Sequence, residues 1–174
     1  MRARHETLIM NDQTSSRAPS TRDTSAPTPT SDNSLAWSDA RLLGFTPMDN
    51  VHKEFYTLAL KLVTCSEASA AEAIEQFERH AISHFGQEDE WMRSTNFPPR
   101  DCHVDEHAAV LKSVGEVKQA VTQGKAGADV VRNIGMALFD WFPGHADYLD
   151  SALAAWMTKQ NMGGKPVVVR RKLD

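Results

Sequence analysis

Apolar residues recur every three or four positions along most of this 174-residue chain. Four stretches share this spacing, and short segments containing glycine or proline separate them. An α-helix with one apolar face buries that face against a neighbour, and short loops make consecutive helices antiparallel. The pattern therefore predicts an all-α fold, an antiparallel up-down-up-down four-helix bundle over residues 35–160. The first stretch shows the spacing: Met48, Val51, Phe55, Leu58 and Leu62.

The two ends of the chain differ from this central region. Between Asn11 and Ser34, 14 of 24 residues are Ser, Thr or Pro. Such a segment cannot bury enough apolar surface to offset its ordering entropy, so residues 1–34 are predicted to form a disordered tail. Residues 161–174 are expected to form a short solvated tail.

Charge and composition argue against several classes of protein. Nineteen basic and 23 acidic residues give a net charge of −4, without the basic excess typical of nucleic-acid binding. No apolar run approaches the roughly 18 residues of a membrane span, and no apolar stretch of the kind found in a signal peptide follows the first arginines. Two cysteines, Cys65 and Cys102, cannot form a disulfide framework. We therefore expect a cytoplasmic monomer with no nucleic-acid or membrane partner.

Histidines and a carboxylate occupy positions on the predicted apolar faces. One such histidine is usually a hydrogen-bonded core residue, but five on four helices predict a metal site. Residues four apart on a helix point the same way, and a buried unpaired carboxylate costs several kcal/mol unless a cation accompanies it. The residues are His52 in the first stretch, His84 and Glu88 in the second, His103 and His107 in the third, and His145 in the fourth.

The types of these candidate ligands narrow the choice of metal. Five imidazoles are too many for one structural zinc, and the set is too rich in nitrogen for calcium or magnesium. Imidazole and carboxylate together suit iron, among other metals. A dinuclear centre would use all of the ligands.

A second carboxylate is harder to place from spacing. Asp150 follows His145 by five residues, about 140° away around an ideal helix. It would reach the site only if a second ion is displaced sideways, or if Pro143 and Gly144 distort the helix.

The order of these residues resembles the hemerythrins, especially the bacterial ones. The similarity covers roughly residues 35–157 and extends to Trp37, Asp49, Phe85 and Trp141. It rests on His52, His84-x-x-x-Glu88, His103-x-x-x-His107 and His145-x-x-x-x-Asp150. The resemblance implies two irons joined by an oxo or hydroxo bridge inside a four-helix bundle.

The resemblance also distributes the ligands. His103, His107 and His145 would hold one iron, and His52 and His84 the other. Glu88 and Asp150 would bridge the two irons. The open position would lie on the iron with two histidines, where the family binds O₂.

The resemblance implies a dry O₂ pocket, in which Phe85 and Trp141 match family positions. Phe55, Phe142 and Ala146 are expected to join them, and core packing would explain the same residues. Asp49 either orients His52 or favours a helix N-terminus. His80 lies about 12 Å of helix rise from Glu88, too far to share its iron, and is expected beside the ligands or at the surface.

Three functions fit this ligand set. The first is reversible O₂ binding for storage, delivery or scavenging, and the second is an oxygen or redox sensor. The third is a di-iron oxidase, peroxidase or nitric-oxide-handling enzyme. Carboxylate-rich di-iron proteins carry Glu-x-x-His pairs, which this sequence lacks, so the histidine-rich set favours reversible binding over an enzyme.

Overall fold

A computed structural model describes residues 35–161, and these residues form helices and loops without a strand. The long helices are α1 (Thr46–Thr64), α2 (Ala70–Ser94), α3 (Arg100–Thr122) and α4 (Ala128–His145). A π-helical turn, Ala146–Asp150, continues α4 into α5 (Ser151–Asn161), and a 3₁₀ turn, Asp39–Arg41, precedes α1. The predicted tail 1–34 lies outside the described residues, as does the C-terminal tail beyond Asn161.

The long helices pack as the sequence predicted. Loops of five residues join α1 to α2, α2 to α3 and α3 to α4. Such loops force consecutive helices to run antiparallel, and α1 packs on α2 and α4 while α2 packs on α3. The all-α four-helix bundle is therefore confirmed. No helix among residues 35–161 is long and apolar enough to cross a membrane.

The apolar core is divided into two clusters along the bundle. The larger cluster includes Phe55, Phe77 and Phe142. The smaller cluster lies toward the other end and includes Met48 and Leu153. On α1, His52 lies between Met48 and Phe55, and the same order of apolar, polar and apolar residues recurs on α2 and through α4 into α5. The polar candidates therefore form a layer between two apolar clusters.

One glycine sets how closely α1 and α4 approach. A Cβ atom built on Gly135 of α4 would lie 2.8 Å from Leu62 Cβ and 3.0 Å from Val63 Cγ2, and 3.1 Å from the Val63 backbone nitrogen. Contacts this short require a helix to move, because backbone atoms cannot rotate away. Gly115 of α3 differs, since its nearest neighbour is a Glu78 side-chain oxygen at an ordinary 3.7 Å.

We predict that Gly135→Ala lowers the free energy of unfolding by about 1–3 kcal/mol, because overpacking at the α1–α4 contact outweighs the better helix propensity of alanine. Gly115→Ala is the matched control and should raise stability by about 0.5–1 kcal/mol. Urea denaturation of both variants and the unmodified chain measures this. Equal effects of the two substitutions would show that the close approach is not a constraint.

Candidate metal centre

Seven side chains predicted as ligands converge in the polar layer, and none is more than 3% exposed. Their nitrogen and oxygen atoms fall into two groups able to hold a metal ion. One group contains His52, His84 and Glu88, and the other contains Glu88, His103, His107, His145 and Asp150. Every long helix contributes at least one of them. The structure thus brings together all seven predicted residues.

Glu88 lies between the two groups and turns one carboxylate oxygen toward each. Its Oε1 atom lies 3.1 Å from Nε2 of His84 and 3.7 Å from Nε2 of His52. Its Oε2 atom lies 3.5 Å from Nε2 of His103 and 3.3 Å from Nε2 of His107. A carboxylate in this position can bind two ions at once.

The two carboxylate oxygens of Asp150 likewise face different groups. Oδ2 lies 3.2 Å from Nε2 of His52. Oδ1 lies 3.0 Å from Nε2 of His103 and 3.2 Å from Nε2 of His145. The two carboxylates therefore connect the two-histidine group to the three-histidine group by separate bridges.

The three-histidine group has the spacing of ligands to one ion. Nε2 of His145 lies 3.2 Å from Nε2 of His103 and 3.2 Å from Nε2 of His107. Nitrogens bound at right angles to one metal ion, each about 2.1 Å from it, lie about 3 Å apart. Nε2 of His145 therefore lies from each of the other two nitrogens at the spacing of neighbouring corners of an octahedron.

A π-helical turn explains how Asp150 reaches the site. The turn runs from Ala146 to Asp150, and the Ser151 N–H donates to the Ala146 carbonyl, five residues earlier. This wider turn carries Asp150 back beneath His145, where an ideal α-helix would leave it to one side. The helix is distorted locally, as one of the two predicted geometries requires, but at Ala146–Asp150 and not at Pro143 and Gly144, which remain α-helical. The π-helical turn follows Pro143, which lies inside α4.

The protein atoms alone do not satisfy these buried groups. Buried polar atoms in proteins nearly always have hydrogen-bond partners. Within residues 35–161, both oxygens of Asp150, Oε2 of Glu88 and Nε2 of His52 have none. All four atoms belong to the groups described above, so cations at this place would satisfy them. The residues present therefore fit a metal centre.

Electrostatics favour cations here as well. Burial alone would raise the pKa of Glu88 and Asp150, but the surrounding histidines hold both pKa values below their usual range. Burial would lower the pKa of His52 and His103, yet the nearby carboxylates of Asp150 and Glu88 outweigh burial and raise each pKa to about 9. Both carboxylates are thus held ionised in a core that water does not reach.

Two further carboxylates contact the outer edges of the imidazoles. Nδ1 of His107 donates to Asp89 Oδ1 at 3.0 Å, and Nδ1 of His145 donates to Glu106 Oε2 at 2.9 Å. The hydrogen bond from His145 holds the pKa of Glu106 below its usual value. Sequence reasoning missed both acids. Asp89 directly follows Glu88 and Glu106 directly precedes His107 in the sequence, but each contacts a histidine of another helix. Only the packing of the helices therefore shows these hydrogen bonds.

Asp49 does not contact a histidine in the manner considered from the sequence. Its Oδ1 accepts a hydrogen bond from the Leu43 N–H at 2.7 Å, and its Oδ2 accepts one from the Gly44 N–H at 3.1 Å. These bonds fix the chain that enters α1. The alternative of a role at the helix N-terminus is the one that the contacts favour.

Aromatic rings cover the two-histidine group. Phe55 and Phe142 stack with their centroids 4.0 Å apart, and Phe142 meets the His52 ring edge-on at 5.0 Å. Both phenylalanines are at most 2% exposed. This side of the site is therefore apolar and closed to solvent.

The other predicted pocket residues lie nearer the three-histidine group. Phe85 stacks on His107 at 4.2 Å, and half-buried Trp141 lies 4.3 Å from the His145 ring. The Trp141 Nε1–H donates to Glu106, and Ala146 is buried directly after His145. Their placement in an O₂ pocket stays a prediction.

His80 lies beside the two-histidine group without belonging to it. Its ring is 5.5 Å from His84 and 6.5 Å from Phe55, and its side chain is 8% exposed. Burial, followed by the neighbouring histidines, lowers the pKa of His80 to about 4, so the ring is neutral.

Comparison with known proteins agrees with this geometry. Residues 43–157 match the family described as the hemerythrin HHE cation binding domain. The chain is 32% identical to a bacteriohemerythrin of Ralstonia nicotianae over 126 residues, which are 72% of this chain and 90% of that protein. It is 25% identical to a bacteriohemerythrin of Stenotrophomonas maltophilia over 124 residues, which are 69% of this chain and 79% of that protein. The chain belongs to the hemerythrin family.

Proposed function

We propose that this protein holds two irons in its polar layer and binds O₂ reversibly there, for storage, delivery or scavenging. The proposal rests on the positions of the carboxylate oxygens of Glu88 and Asp150. In each carboxylate, one oxygen faces the two-histidine group and the other faces the three-histidine group. Two carboxylates that each face two separate groups of imidazoles suit a pair of ions better than one. Family membership supports iron as the metal.

The ligand set leaves one position free. Five imidazole nitrogens, four carboxylate oxygens and a bridging oxo or hydroxo group, which would occupy one position on each iron, would leave one corner of two octahedra unfilled. The group of His52 and His84 has one imidazole fewer than the other group, so the free position belongs there. Ferrous irons at this place would supply electrons to O₂ and recover them on its release.

The surrounding side chains keep water from this position. Phe55 and Phe142 are stacked and buried next to His52. Apolar walls of this kind slow the entry of water, and water promotes irreversible oxidation of the irons. The exclusion of water suits a protein that must release O₂ unchanged.

Other properties complete the proposal. Cys65 and Cys102 are both free thiols, in keeping with a reducing cytoplasm.

The sequence lacks the Glu-x-x-His pairs of the carboxylate-rich di-iron proteins, which makes reversible binding the better proposal than oxidase chemistry.

We predict that the chain takes up two irons when it is reconstituted anaerobically with Fe²⁺. It should then bind about one O₂ per pair of irons and return to the colourless form under argon over several cycles. Elemental analysis and an oxygen titration followed by visible absorption measure both quantities. One zinc per chain without iron uptake would overturn the metal assignment. Continuous O₂ consumption with an added reductant, at a rate far above autoxidation, would overturn the proposal of reversible binding and indicate an oxidase.

The outer carboxylates have a role in this proposal. Glu106 accepts from His145 and from Trp141, so it fixes the orientation of an imidazole whose Nε2 faces the metal position. A hydrogen-bond partner on the far side of a ligating histidine also raises its basicity.

We predict that Glu106→Ala weakens iron retention by about 10–100-fold, because His145 loses its outer partner. Glu116→Ala is the control, since Glu116 is exposed further along α3. Competition with a ferrous chelator measures iron retention. If both variants release iron at the same rate as the unmodified chain, Glu106 does not position His145.

We predict that Phe55→Leu shortens the lifetime of the oxygenated protein, while Phe77→Leu leaves it nearly unchanged. Both phenylalanines are fully buried in the same cluster, so the two replacements should lower stability by similar amounts. Phe55 lies one turn from His52, whereas Phe77 packs behind it at 5.2 Å. The decay of the visible band in air measures the lifetime. Equal lifetimes of the two variants would mean that Phe55 does not exclude water from the site.

A further inference from the structure

We propose that His80 is a ligand-binding residue, one that contacts a small ligand at the two-histidine side of the centre and retains it by a hydrogen bond from Nε2. The ligand class is a diatomic or small anionic molecule whose outer atom carries negative charge. This inference rests on the proposed function, because it needs a ligand bound at that side.

The register of the antiparallel helices places His80 in the layer next to the site. His80 lies one turn before His84 on α2, and Phe55 lies about one turn after His52 on α1. Because α1 and α2 run in opposite directions, these steps lead toward the same end of the bundle. The ring separations agree, with His80 5.5 Å from His84 and 6.5 Å from Phe55. His80 and Phe55 therefore border the same side of the two-histidine group.

The ring has one edge toward solvent and one edge toward the interior. Nδ1 lies 3.6 Å from Oε2 of Glu54, a carboxylate that is 72% exposed. The two nitrogens of an imidazole are on different sides of the ring, so Nε2 points away from Glu54. Nε2 is buried and has no hydrogen-bond partner among residues 35–161. A ring nitrogen of fixed position, able to donate when it carries the hydrogen, is thus directed into the bundle beside an apolar wall.

A buried polar atom without a partner is costly, and the fold has no structural need for it here. Core positions around His80, among them Phe77, Ala81 and Phe55, are apolar, and another apolar residue would suit packing. A ligand that accepts a hydrogen bond removes this cost when it binds. A neutral imidazole carries hydrogen on either nitrogen, so an accepting ligand selects the form with hydrogen on Nε2, and the exposed Glu54 can turn to water.

Replacement of His80 tests the inference with azide as the anionic probe. His80→Leu removes the donor at similar volume, His80→Gln keeps a donor, and Ile82→Ala is the control at an exposed position of α2. We expect all variants to hold the same iron as the unmodified chain. His80→Leu should weaken azide binding to the oxidised protein and speed O₂ dissociation, each by about tenfold, the effect of roughly one hydrogen bond. His80→Gln should restore part of both, and Ile82→Ala should change neither.

A measurement without metal separates a ligand-binding role from a packing role. In the iron-free protein His80→Leu should melt at the same or a higher temperature than the unmodified chain, because no internal hydrogen bond is lost. A clearly lower melting temperature would show that His80 is needed for packing and would overturn the inference. Unchanged azide affinity and O₂ dissociation in His80→Leu would overturn it too, with the proposed function intact. A chain that takes up no iron would overturn both.

Discussion

The burial of two ionised carboxylates among five imidazoles is the constraint on which the rest of this structure depends. Glu88 and Asp150 lie in a layer that water does not reach, and their oxygens face imidazole nitrogens from all four helices. An unpaired carboxylate at this depth would cost several kcal/mol. The helices must therefore hold their register along the bundle, since a shift of one turn would leave these charges facing an apolar cluster. The two clusters on either side of the layer supply the packing that keeps that register.

The helical backbone itself is adapted to this layer. Asp150 comes from a π-helical turn, an uncommon geometry that proteins often use at functional sites. The same turn passes the chain into α5, whose Leu153 and Met157 close the smaller cluster. The π-helical turn thus both brings the Asp150 carboxylate under His145 and directs α5 to close the end of the bundle. Gly135, near the middle of α4, lets α1 approach closely.

Much of this arrangement is readable from the sequence, because helical periodicity and ligand spacing are both local. The positions of His84 and Glu88 four apart, and of His103 and His107 four apart, follow from a single helix. The position of Asp150 does not follow from helical spacing, because an ideal helix directs this side chain away from His145. Only the resemblance to the hemerythrins predicts that Asp150 lies between the two ions. The roles of Asp89 and Glu106 are not predictable in this way, because each contacts a histidine of a different helix. Spacing within one helix gives no information about such contacts. The sequence does not decide the role of Asp49, because its partners, Leu43 and Gly44, belong to a loop.

The two sides of the centre differ in a way that matches the difference in their ligand number. On the three-histidine side, Nδ1 of His107 and Nδ1 of His145 donate hydrogen bonds to Asp89 and Glu106, which fix the orientation of both rings. On the two-histidine side Nδ1 of His84 has no partner among residues 35–161, as is also true of Nδ1 of His103 on the other side, and stacked aromatic rings of Phe55 and Phe142 lie next to His52. A side braced by charged acceptors suits an ion whose ligands never change. In the proposed function, a side enclosed by apolar rings suits the ion that accepts and releases a small molecule, because apolar walls slow the entry of water.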